Sequence, residues 1–182
     1  MQITTKHVLK VLHVLAWIIF IGLSLQAGIV IVSSVLKFII SPQHHDKLWQ
    51  EINFTSLYNF NQSYFITHII VISIVLILKA TLFYMIIKMF NDKKLSLSQP
   101  FSHHMNRYIY KMVFISFLIA LFAGGGVNFS EWLTKQGVIM PAIQVQGIDG
   151  SDVWLLMSIV LFVLSQIFKR GIEIQSENEL TV

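Results

Sequence analysis

Four long apolar runs dominate this chain, at about 11–36, 65–87, 109–129 and 153–168. A helix rises about 1.5 Å per residue, so roughly 20 apolar residues cross a hydrocarbon core of about 30 Å. Each of the first three runs meets that length. The fourth is short; Ile148 before it, or Lys169 and Arg170 after it, must make up the distance. The expected class is an all-α integral membrane protein: a four-helix bundle with two extracytoplasmic loops and a cytoplasmic C-terminal helical tail.

Composition agrees. Of 182 residues, 55% are hydrophobic and 12% charged, against about 25% charged in soluble domains. No Pro/Gly/Ser linker divides the chain, so residues 1–182 read as one membrane domain. The first run follows Lys6 and Lys10, as a signal peptide would. It is longer than the 7–15-residue apolar core of a signal peptide, and Ser33-Ser34-Val35 lies too deep for cleavage, so it reads as a retained span. There are no cysteines, which removes disulfides and thiolate chemistry.

Loop charge gives a direction. Lys6, Lys10, Lys88, Lys93, Lys94, Arg107, Lys111, Lys169 and Arg170 flank one side of the spans; only Lys37, Lys47 and Lys135 flank the other. The positive-inside rule puts both termini and the middle loop in the cytoplasm of a bacterial inner membrane. The net charge of +4 then marks topology and attraction to the lipid bilayer. It shows no interleaving with aromatics, so direct nucleic acid binding is not expected.

The first outer loop carries Trp49, Phe54, Tyr58, Phe60, Tyr64 and Phe65. It reads as an interfacial belt with a short helix on the membrane, or as a ligand cap. In the second, Ile143 and Val145 alternate with Gln144 and Gln146, which predicts a short extended piece. Asp152 is placed to cap the fourth span, and Ser102, after Pro100, the third. His103 with His104, and His44 with His45, are adjacent and point apart on a helix, so neither pair makes a metal site. His13 and His68 fall at opposite ends of their spans and cannot share one haem. No cofactor and no metal are expected.

Lys79 is the only charged residue well inside a span. Intramembrane ionisable groups default to function with a named partner. No acidic residue lies in any span, so Ser116, Ser165 and Gln166 are the expected members of a polar pocket around it. The missing carboxylate counts against coupled transport. Small residues spaced by four, Ser116, Ala120 and Gly124 in span three and Ser24 and Gly28 in span one, predict close helix packing, within the chain or in a homo-oligomer. Gly124-Gly125-Gly126 is expected to loosen the outer end of span three.

The ending Ser176-Glu177-Asn178-Glu179-Leu180-Thr181-Val182, and Pro100-Phe101-Ser102 before span three, resemble features of a bacterial four-span membrane family grouped as domain of unknown function 2975; Glu179 stands where Asp is expected. The family's members are often encoded beside a helix-turn-helix regulator. The resemblance implies a regulatory or sensing role with a cytoplasmic partner and supplies no catalytic residues. The expected function is therefore non-enzymatic, with Glu177, Asn178, Glu179 and Leu180 as the partner-binding tail. A small transporter, channel or accessory subunit is the alternative.

Overall fold

The computed structural model describes residues 5–40, 53–92 and 102–179. Trp49, His44, His45, Pro100 and Leu180 lie outside them. Six helices form: α1 (Thr5–Ile40), α2 (Thr55–Phe60), α3 (Gln62–Asn91), α4 (His103–Lys135), α5 (Ile143–Gln146) and α6 (Ser151–Glu179). There is no strand among the described residues. Four helices, α1, α3, α4 and α6, are long and apolar enough to cross a membrane. The fold is all-α and that of a multi-pass membrane protein.

The long helices pack in series, α1 on α3, α3 on α4, and α4 on α6. One end of this row holds α2 and α5 and is called the connector end; the other, the terminal end, holds the starts of α1 and α4 and the ends of α3 and α6. Side chains turned away from the row are apolar, as Ile18 and Leu25 on α1 and Leu156 and Val163 on α6 show. Lipid solvates such groups as well as protein does, so packing and polar contacts hold the helices together.

Caps set the helix starts. The Asn61 side chain accepts from the Ser63 and Tyr64 amides at 2.8 and 3.3 Å, opening α3. Ser102 Oγ accepts from the Met105 amide at 3.2 Å, opening α4. Asn61→Ala should cost about 1 kcal/mol of stability, read as a lower midpoint of thermal unfolding in detergent; an unchanged midpoint would show the start of α3 to be held by packing alone.

The three consecutive glycines do not loosen α4, which runs unbroken to Lys135. Packing explains this. A Cβ on Gly126 would lie 3.1 Å from Val71 Cγ1 and 3.2 Å from Ile148 Cδ1, so the bare backbone makes room for both neighbours. Ser116, Ala120 and Ala123 are buried, and Gly124 faces Ser151 of α6, whose Cβ would lie 3.6 Å from a Cβ added to the glycine. On α1 the small-residue stripe is displaced. Gly28 is exposed with nothing near it and Ser24 is half-buried, while Ala27 and Val30 face α3. The Ser24–Gly28 spacing fixed the period but not the phase of the buried face.

Depth is set by contacts between neighbours. His104 meets Asp92, Phe129 meets Tyr64, and Gly126 meets Val71, so α3 and α4 run antiparallel. Ser158 donates to the Val113 carbonyl at 3.3 Å, and Ser165 donates to Asn106 at 2.9 Å, which fixes α6 against α4. Because Ser151 lies opposite Gly124, α6 starts eleven residues short of Lys135, roughly 16 Å. The connection from Gln136 to Gly150 fills that gap.

Candidate functional site

The gap is filled by irregular backbone at membrane depth. Such backbone persists only where protein encloses it or water reaches it. Here α1, α3 and α4 enclose it. Ile148 is fully buried and Gly147 lies between α1 and α3, where a Cβ would sit 2.9 Å from both Gln26 Nε2 and Leu76 Cδ2. Gly147 also has φ +74°, the left-handed region. Both observations demand glycine.

Lys79 reaches this segment. Helical side chains lean toward the helix N-terminus, so on α3 the lysine stem points to the connector end. Its ammonium donates to the Gly147 carbonyl at 2.8 Å and lies 5.6 Å from the centre of the Trp154 ring. The residue is 7% exposed. The Asp149 carboxylate lies within electrostatic reach. That carboxylate forms no ion pair with the ammonium, whose direct contacts are the Gly147 carbonyl and the Trp154 ring.

A second set of polar contacts lies nearer the connector end. The predicted extended piece at 143–146 is instead one helical turn, α5, followed by Gly147. The turn folds Gln146 inward, where it is 1% exposed. Gln146 Nε2 donates to the Pro141 carbonyl at 2.6 Å and to Ser130 Oγ at 3.2 Å. Its Oε1 lies 2.7 Å from His68 Nε2. Since that oxygen only accepts, His68 Nε2 carries the proton. His68 Nδ1 is left buried without a partner, and the ring lies between those of Phe54 and Phe129. Above it α2 docks on α3 through the fully buried Leu57, and Ser56 Oγ accepts from the Ile139 amide at 3.0 Å. The short helix is thus seated on the bundle.

The expected pocket members separate. Ser116 is level with Lys79 by the pairing of α3 with α4, and its hydroxyl is buried without a partner. Ser165 is bonded to Asn106, three residues into α4, and so lies at the terminal end; Gln166 is exposed. Both are corrections to the expected pocket. Their placement assumed that span four starts level with the others, whereas α6 starts deep and the residue level with Lys79 is Trp154. Asp152 lies in the first turn of α6, but Gly150 precedes the helix and accepts from the Trp154 amide. Sequence reasoning missed Gln146, His68, Gly147, Asp149 and Trp154 as contributors. The shortness of span four was the signal that could have found them.

At the terminal end, Asp92 Oδ2 lies 2.6 Å from His104 Nε2 and accepts from the Tyr108 hydroxyl at 3.3 Å. This ties the end of α3 to the first turns of α4. His104 therefore pairs with a carboxylate rather than with His103. In the tail, Arg170 pairs with Glu173 at 3.0 Å and helix continues to Glu179 with Glu177 exposed.

Comparison with curated proteins and with solved structures gave no match. A family model described as a protein of unknown function, DUF2975, matches residues 49–182. That range takes in α2 to α6 and every side chain placed around Lys79 except Gln26 of α1. The chain belongs to the DUF2975 family.

Proposed function

We propose that this chain is a non-enzymatic regulatory protein of the bacterial inner membrane, with both termini cytoplasmic, that passes a ligand or membrane state sensed at the connector end to a cytoplasmic partner. Orientation rests on the excess of Lys and Arg beside the terminal end. The hydrogen bond from Lys79 to Gly147 carries the sensing reading, because it ties the 136–150 connection to the middle of α3. That helix ends at Asp92, where the carboxylate meets His104 and Tyr108. A change at the connection thereby has a continuous helical route to the terminal end. The partner fitting the family resemblance is a regulator of helix-turn-helix type, received by the tail around Glu177.

The test is a photo-crosslinking residue at position 177, with the neighbouring helix-turn-helix regulator co-expressed. The wild type should give a crosslinked complex, and Lys79→Met should change its yield roughly fivefold or more, the lower bound of ordinary allosteric coupling. No crosslink, or one indifferent to Lys79, sinks the regulatory reading.

A transporter, channel or accessory subunit is the second reading, favoured by irregular backbone at membrane depth. It is supported instead if Lys79→Met changes solute flux in liposomes, Lys79→Arg does not, and crosslinking at 177 is absent.

A further inference from the structure

The opening turns of α4 are basic. Arg107 and Lys111 stand four residues apart, both are exposed, and the helix carries no acidic residue before Glu131. Like charges at that spacing repel along a helix. Cations near a helix start also oppose its dipole. Ion pairs among the described residues do not offset this: they join His104 to Asp92 and Arg170 to Glu173, and neither includes Arg107 or Lys111. Asp92, at the end of α3, is held by His104 and Tyr108.

Neighbouring contacts aim this pair away from the row of helices. Asn106 accepts from Ser165 of α6, and Tyr108 donates to Asp92 of α3. Arg107 between them, and Lys111 one turn on, lie on the face that neither helix covers. Beyond the pair the same face is exposed and apolar, with Phe114, Phe117 and Leu121 in succession and Tyr110 beside the cations. Lys111 to Leu121 is about ten residues, roughly 15 Å, or half of a hydrocarbon core of about 30 Å. The apolar track therefore has the depth of one leaflet. Helical side chains lean toward the helix N-terminus, which for α4 is the terminal end. That lean carries the Lys111 ammonium back toward Arg107, at the edge of the bilayer.

We propose that this face of α4 binds one anionic phospholipid of the leaflet at the terminal end, with Arg107 and Lys111 on the headgroup phosphate and an acyl chain along Phe114, Phe117 and Leu121. Charge complementarity selects the occupant. Two cations within one turn call for a headgroup of net negative charge, and a guanidinium meets a phosphate through two parallel N–H···O bonds. A molecule that joins a phosphate to a long apolar chain matches both halves of the face. A zwitterionic phospholipid brings an ammonium of its own and gains less. The site depends neither on which side of the membrane the terminal end faces nor on the regulatory reading.

The test uses full-length protein in a neutral detergent, with phosphatidylglycerol or phosphatidylcholine added and lipid-bound species counted by native mass spectrometry. The wild type should hold phosphatidylglycerol roughly tenfold more tightly than phosphatidylcholine, and the double variant Arg107→Gln, Lys111→Gln should lose that preference. A control, Lys10→Gln with Lys169→Gln, removes the same charge from the terminal ends of α1 and α6 and should keep it. Thermal unfolding gives a second readout. Phosphatidylglycerol should raise the midpoint of the wild type and the control but not of the Arg107, Lys111 variant, whose midpoint without lipid should equal or exceed that of the wild type. An equal loss of preference in the control would show diffuse attraction to the whole terminal end and overturn the site. An unchanged preference in the Arg107, Lys111 variant would overturn it too. So would competition by inorganic phosphate, which would make a soluble anion the occupant.

Discussion

Gly147→Val should unseat the connection and give the largest loss of stability of any single substitution considered. Two effects add. A β-branched residue at φ +74° is strained by about 1–2 kcal/mol. Its Cβ would also stand 2.9 Å from Gln26 Nε2 and Leu76 Cδ2, and overpacking of that kind costs about 1–3 kcal/mol. Gln26 is flexible and can swing away, but Leu76 is fully buried and cannot. Gly150→Ala separates the two effects, since φ is +72° there and the space is open. Thermal unfolding in detergent should show a large drop for Gly147→Val and a drop near 1 kcal/mol for Gly150→Ala. Equal drops would mean that Gly147 is not enclosed between α1 and α3.

Gln146→Leu should follow closely. The shape is roughly kept, but three hydrogen bonds go. His68 would then hold two unpartnered ring nitrogens, and the Pro141 carbonyl and Ser130 hydroxyl would lose their donor. Unmade hydrogen bonds at buried groups cost about 1–3 kcal/mol each; the sum after local relaxation is about 3 kcal/mol. A double-mutant cycle identifies the cause. His68→Phe places a third ring between Phe54 and Phe129 and removes the polar demand. In that background Gln146→Leu should cost at least about 1 kcal/mol less. Strict additivity would assign the loss to packing instead.

The sequence made the helices legible and the site only partly so, for a physical reason. Twenty apolar residues have one low-energy solution in lipid, so the spans could be read from hydropathy alone. Lys79 stood out because a charge in such a run is rare. Its partners did not stand out, because a backbone carbonyl has no sequence signature and Asp149, Gln146 and Gly147 sit in what reads as an ordinary loop. Ser165 and Gln166 fall away from Lys79 because apolar length does not say at what depth a span starts, and α6 starts opposite Gly124. The alternation at 143–146 misled because a period of two over four residues cannot outweigh the inward hydrogen bonds of Gln146. The phase of the α1 face, Ala27 rather than Gly28, was hidden by a helix apolar on all sides.

The serial packing of the long helices bears on how the chain is put together during synthesis. Each of α3 and α4 meets the surface of its predecessor as it enters the bilayer, so neither waits for a later segment. The last step differs. The 136–150 stretch leads directly into α6, so its seat beside Gln26 and Leu76 and the register of α6 on α4 have to be reached together. A seat blocked at Gly147 therefore becomes an insertion defect of the final helix, visible as a misplaced C-terminus in newly made protein long before any question of activity arises.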